Sequence, residues 1–388
     1  MTASPPSIWR ERAAEFAVEV VAPLGMVLDR MEPAASWAGL APLAEFIELA
    51  TEEGFTRLTD RIADGGAGLS RAAEYEVLET LATADAGLTA VLTDIPLPFR
   101  LARRGPIQLG RRLGGAHLAD GRAGQAGCII ALPGVPLQLC RDEAGWRLNG
   151  AAPETTAGSV ATHAVIPCAT GRFGTTAMVA IVALNREGVW RTPPAPSPGL
   201  RGRIPGRLVF DHMRLEPEEV LGERHGGDRM AASLHAIDDL SAAVGCIGVA
   251  RAAYEGAARW RAERGLEATR RLARMRGELE TARVGVRTVH GREYARLDTG
   301  EAMSGPQALG ARTLAAQTAM SLARSAIALC GAEAGGDDGV AHRDGTRFQP
   351  AKLLRDATAG SPAGHGRIRP EAATAARPQH MGSLQWAT

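Results

Sequence analysis

The chain has 388 residues, 45% of them apolar, which is enough for more than one hydrophobic core. Its 44 Lys and Arg against 43 Asp and Glu leave a net charge of +1, which excludes the polyanion-binding classes and leaves room only for a local basic pocket. Cys128, Cys140, Cys168, Cys246 and Cys330 are scattered without a Cys-x-x-Cys pair, which predicts reduced, buried thiols and no metal site. Residues 1–16 lack a basic-then-apolar signal pattern, and the apolar run Ala242–Ala250 is shorter than a bilayer span. The expectation is a soluble, cytoplasmic protein.

Residues 8–104 read as helical. Ile8-Trp9, Ala13, Phe16-Ala17, Val20-Val21 and Leu24 keep helical spacing, with Glu11, Arg12, Glu15 and Glu19 on the other face. Leu40–Ala50 forms a second helix, and Gly54 marks its stop. The glycine-rich turn Asp64–Ser70 lets Ser70 cap a helix over Arg71–Ala84, with Glu74 placed for a capping box. Asp85-Ala-Gly87 interrupts, and a helix resumes over Leu88–Leu101.

Residues 126–222 lose that period. Short β-prone runs at Cys128–Leu132, Trp146–Leu148, His163–Cys168 and Met178–Leu184 alternate with turn signals such as Pro133-Gly134 and Asn149-Gly150. The rhythm predicts a compact β-barrel or sandwich. The run Gly206–Glu223 reads as its last extended segment, stopped by Pro217 and closed by Leu221-Gly222. Three long Ala-rich helices follow, over Met230–Ala262, Ala268–Leu297 and Pro306–Leu329. Four parts emerge: a helical domain over 1–125, a β-domain over 126–224, a helical bundle over 225–360 and, where apolar periodicity fades, an expected disordered tail over 361–388.

Several motifs in this order resemble the acyl-CoA dehydrogenase superfamily. They are the glycine-rich turn before a Tyr-Glu helix, Asp85-Ala-Gly87, Trp146-Arg-Leu-Asn-Gly150, the exit from strand to helix at Asp211-x-x-Arg-Leu-x-Pro-x-x-x-Leu-Gly222, and Arg355-Asp-Ala357. The resemblance implies an α+β fold with an N-terminal helical domain, a middle β-barrel or sandwich and a C-terminal helical bundle. It also implies FAD as cofactor, an acyl-CoA substrate and a homo- or hetero-tetramer.

Dehydrogenation of an acyl thioester needs a carboxylate for the proton beside the carbonyl, a flavin for the hydride, and hydrogen bonds to the thioester oxygen. Counting from Gly245-Cys-Ile-Gly248 sets Asp238 where one branch of the family carries its catalytic Glu, with Asp239 as a weaker candidate. Asp238, Ala242, Gly245 and Val249 share one helical face. The family's other carboxylate position falls at Gly364-His365-Gly366, where His365 is the only titratable group. For the flavin, the resemblance points to Ala131, Leu132, Thr155, Thr156, Arg264, Gly331 and Gly335. Only a short link joins Pro133 to Trp146, so a flavin-binding loop of the family is absent there. The arginines of 100–104, 111–112 and 270–276 are candidates for CoA phosphates. Three functions follow from the resemblance: a dehydrogenase using Asp238, a flavin monooxygenase on the same fold, or a partner-dependent, non-catalytic subunit.

Overall fold

A computed structural model describes residues 5–31, 40–114, 127–129, 137–143, 145–170, 176–192, 197–222, 224, 226–267 and 269–362. Helix α1 (Pro6–Phe16) continues through a widened π-type stretch at Ala17–Val21 into α2 (Ala22–Arg30). Pro23 explains the widening, because it has no N–H for the carbonyl one turn back and its ring crowds that carbonyl. Helix α3 (Leu40–Glu52) stops at Gly54, whose φ of +84° suits a residue without a Cβ. Ser70 caps α4 (Arg71–Ala84) by accepting from Ala73 N at 3.3 Å. Glu74 does not complete a capping box. It lies one residue too far along and pairs instead with Arg71 at 2.8 Å and Arg100 at 3.6 Å.

The helix expected over Leu88–Leu101 is two helices, α5 (Ala86–Asp94) and α6 (Leu97–Ala102), parted at Ile95-Pro96. Proline removes an intrahelical donor there. A three-residue helix, α7 (Ile107–Leu109), precedes the sheet.

Among the described residues the sheet has eight strands: β1 (Gly127–Ile129), β2 (Leu137–Asp142), β3 (Gly145–Thr155), β4 (His163–Thr170), β5 (Thr176–Ala183), β6 (Val189–Arg191), β7 (Gly206–Leu215) and β8 (Val220–Leu221). Its order is β6-β7-β3-β2-β4-β5-β8, with β1 parallel to β4. Strand β2 occupies what the sequence suggested was a short link. Its alternation is brief, with Leu137 and Leu139 buried and Cys140 outward, and it ends in Arg141-Asp142. Cys140 is exposed as a consequence, unlike the buried Cys168, Cys246 and Cys330.

Strands β4 and β5 are buried on both faces. Val165, Val179 and Ile181 join the helical core, while Ala164, Ile166, Ala180 and Val182 pack into the sheet's own core. The period of two divides them.

Three long helices complete the fold: α8 (Gly227–Glu263), α9 (Arg270–Asp298) and α10 (Gly305–Cys330). A small β9–β10 hairpin (Val340–Ala341 with Arg347–Phe348) and α11 (Pro350–Gly360) follow. Helix α8 is long and apolar enough to cross a bilayer by length and composition, yet 72% of its most apolar window is buried within the protein. It packs on α4, α5, α9, α10 and α11. At Gly248 it approaches α4 so closely that a Cβ would stand 2.3 Å from that of Ala82.

Candidate functional site

Helices α5 and α8 meet through small residues. Ala86 and Ala90 repeat on one face of α5, and Ala242 and Gly245 face them from α8; a Cβ on Gly245 would reach that of Ala86 at 3.4 Å. A narrow cleft opens beside this contact. Asp238, Ala242, Gly245 and Val249, the face expected from spacing, all line it. Thr156 and Arg203 close the side toward the sheet, and Asp356 enters from α11.

Two turns hold the sheet side. Ala157 N donates to Arg203 O at 3.0 Å, and the Arg203 side chain donates to the Thr156 hydroxyl from Nε (2.9 Å) and Nη2 (2.6 Å). Leu200 (φ +53°) and Ile204 (φ +38°) flank the short helical turn that carries Arg203. Such φ values strain a residue with a Cβ, most of all the β-branched Ile204, and strain of this kind gathers at functional sites. Asp356 holds the strained turn by accepting from Leu200 N at 2.6 Å.

The charges of the cleft are mutually compensated. Arg312, 4% exposed, donates to Asp239 at 2.9 Å and to Asp238 at 3.2 Å, and its Nε donates to Gly360 O at 2.9 Å. Burial raises the Asp239 carboxyl, and Arg312 opposes that rise. Asp94, at the end of α5, is pushed up to about 8 by burial first and then by the charge of Asp238. It therefore carries its proton at neutral pH. Burial lowers the Arg203 guanidinium, while Asp238 and Asp94 pull the other way. Cys246 in the cleft wall is pushed up to about 12 by burial, which makes it a poor nucleophile.

Behind the cleft, Lys352 sits between Asp356 (2.7 Å) and Asp85 (3.0 Å), all three buried. Burial would lower the lysine, but the two carboxylates outweigh it and hold its affinity for the proton above the ordinary value. Asp85 also caps α5 by accepting from Leu88 N at 2.8 Å. The Arg355-Asp356 pair thus has a structural task here: Arg355 reaches Asp29 at 2.8 Å while Asp356 holds Lys352 and Leu200.

Of the residues singled out in the sequence, Asp238 and Thr156 meet at the cleft, Asp239 joins them through Arg312, and Thr155 is buried at the end of β3 beside them. Arg264 lies over the Trp260 ring at 4.1 Å and donates to Trp260 O and Ala341 O. Gly331 and Gly335 have open space where a Cβ would stand. Ala131, Leu132 and His365 lie outside the described residues. Arginines 100 and 103 pair with Asp60 (3.0 and 3.2 Å), Arg104 with Asp298 (3.1 Å) and Arg112 with Glu219 (2.5 Å), so intramolecular carboxylates already engage these candidates for CoA phosphates. Arg203, Asp94 and Arg312 were not anticipated. Their signal was a charge inside an apolar run, as in Val91-Leu-Thr-Asp94-Ile-Pro-Leu97 and in the Ala-rich stretch around Arg312.

No protein-family model matches the chain, and no curated protein matches it. Solved structures do. A glutaryl-coenzyme A dehydrogenase in its glutaryl-CoA complex is 18% identical with a TM-score of 0.75, over 94% of this chain and 92% of that one. Butyryl-CoA dehydrogenase from Megasphaera elsdenii is 18% identical with a TM-score of 0.71, over 93% and 95%. An acyl-CoA dehydrogenase complexed with FAD from Bacillus anthracis is 16% identical with a TM-score of 0.74, over 92% of this chain and 63% of that longer one. This chain therefore has the acyl-CoA dehydrogenase fold, carried by a divergent sequence.

Proposed function

We propose that the chain is a flavin-dependent oxidoreductase that takes an acyl-CoA thioester into the cleft between α5, α8 and the turn after β3. One observation carries the reading: Thr156 and Asp238, which the family resemblance assigns to the flavin ring and to proton abstraction, line the same cleft. The donor set suits a flat ring rich in acceptors. Arg203 occupies the lone pairs of the Thr156 oxygen, which leaves the hydroxyl proton to donate. Ala86, Ala90, Ala242 and Gly245 present only small side chains to the cleft.

Thr156 and Arg203 would hold the ring, and bound FAD would supply the hydride acceptor. Asp238 would take the proton from the carbon beside the thioester carbonyl. Arg312 donates to its carboxylate at 3.2 Å and so orients it within the cleft. An aspartate has one methylene less reach than glutamate, so substrate must come close to α8. A tetramer fits this reading, with Val284 on α9 and Leu309 and Leu314 on α10 exposed as apolar contacts for another copy.

The Arg312 contact also favours a second reading, a non-catalytic subunit that works beside a partner chain, because it ties the candidate base to the docking of α11. The visible spectrum of the purified protein separates the two, recorded before and after anaerobic addition of acyl-CoAs. Bound flavin that bleaches with a thioester, and no longer does so in Asp238→Asn, supports the dehydrogenase. Flavin indifferent to every thioester, or equal bleaching in the variant, removes Asp238 from the chemistry and leaves the subunit.

A further inference from the structure

The cleft beside Asp238 encloses about 20 Å³, the room of roughly one water, so a thioester enters only if a wall moves. The α5 and α8 walls belong to the packed helical core. The wall that carries Leu200, Arg203 and Asp356 is of another kind. Leu200 and Arg203 sit on the turn flanked by positive φ at Leu200 and Ile204, and Asp356 reaches in from α11. At Gly199 a Cβ would stand 2.4 Å from the carbonyl oxygen of Arg355, so this turn rests directly on α11.

Helix α11 docks through polar bonds with little apolar burial. Of its apolar side chains only Pro350, Ala357 and Ala359 are buried, while Leu353 and Leu354 are half-buried. Its hold comes from Arg312 Nε to Gly360 O (2.9 Å), Lys352 to Asp85 (3.0 Å), Leu200 N to Asp356 (2.6 Å) and Arg355 to Asp29 (2.8 Å). Bonds of this kind are nearly balanced by hydration. When the helix lifts, water replaces them, and the desolvation of Lys352, Asp85 and Asp356 is recovered. Deleting one partner differs, because the other then stays buried alone. The strain at Leu200 and Ile204 is released in the same movement. Few buried apolar contacts mark a unit that opens locally.

We propose that α11 is a strap over the entrance to the cleft. Closed, it holds the turn at Leu200–Ile204 across the site. Lifted, it lets the turn withdraw and a thioester reach Asp238. The inference supplies an entrance to the cleft and rests on the acyl-thioester reading of it.

A reversible covalent lock tests the strap. A Cβ at Gly360 would stand 2.6 Å from Sγ of Cys246 on α8, so Gly360→Cys brings a second thiol within disulfide reach and fastens the end of α11 on oxidation. In the unaltered protein the amides of Leu200 and α11 should exchange hydrogen together, at least roughly tenfold faster than those at the centre of α8. Oxidation of the variant should slow both sets. Its calorimetric affinity for hexanoyl-CoA should fall roughly tenfold or more, and reductant should restore it. Leu200 exchanging as slowly as the centre of α8 in the unaltered protein, where no variant's folding intervenes, overturns the strap. Equal affinity of the oxidised and reduced variant does the same and leaves the thioester reading in place. Failure of the unaltered protein to bind hexanoyl-CoA removes that reading, and the entrance with it, whatever the exchange shows.

Discussion

Arg312 bridges Asp238 and Asp239 on α8 while its Nε binds the last carbonyl of α11, at Gly360. The guanidinium therefore serves two carboxylates at once and fixes a helix end that would otherwise carry an unpaired acceptor. Arg312→Met keeps most of the packing and removes all three bonds. It should destabilise the fold by about 3 kcal/mol, the scale for breaking a buried ion pair on one side. Denaturant unfolding would read this as a lower midpoint with an unchanged slope. Arg312→Met with Asp239→Leu should recover part of the loss, because one carboxylate then no longer needs a partner.

Lys352 makes a sharper case, since both of its partners are buried with it. Lys352→Met leaves Asp85 and Asp356 facing each other without a cation and should cost about 3–5 kcal/mol. Asp85 also caps α5 and Asp356 holds Leu200, so the damage should spread to the cleft. Hydrogen exchange at Leu88 and Leu200, whose amides these carboxylates accept, would rise well above that of amides in α9.

The long helices and the order of helices, strands and helices were legible because period and punctuation are local. Ala-rich runs without proline have few ways to be anything but helix, and Asp85 and Gly54 are punctuation whose effect needs no partner. Strand β2 was not legible, because its alternation is short and its identity comes from pairing with β3 and β4. The site divides in the same way. Asp238 could be placed by counting along one helix. Arg203 and Arg312 reach the cleft from a turn and a helix distant in sequence, and no spacing rule announces which guanidinium will meet which carboxylate. Arg100 and Arg103 teach the reverse, since their clustering suggested a phosphate site and the fold directs them to Asp60.

Helix packing supplies a contrasting pair of glycines. At Gly248 a Cβ would collide with Ala82 across the α4–α8 contact, whereas at Gly277 on α9 it would meet nothing within 4 Å. Gly248→Ala should lose about 1–3 kcal/mol by overpacking. Gly277→Ala should gain roughly 0.5–1 kcal/mol from helix propensity and a less disordered unfolded chain. Thermal unfolding of the two variants side by side should move the midpoint in opposite directions.

Asp94 makes stability depend on pH in a predictable sense. Its carboxyl is raised in the folded state from the model-compound value of 3.8 to about 8, by burial and then by Asp238. Between those values the unfolded chain has released a proton that the folded chain retains, so stability contributed by this group is full below about pH 4 and declines as pH rises through about 8. Asp94→Asn should flatten that decline, leaving the variant more stable relative to wild type at pH 8 than at pH 5. Asp238→Asn probes the same coupling from its other side. Removing the charge that is the second cause of the shift should move the end of the decline to lower pH, because burial alone then raises Asp94. Unfolding midpoints measured across that pH range in the two variants and the double variant would test it. If Asp238→Asn leaves the profile of wild type unchanged, the two carboxyls do not sense each other.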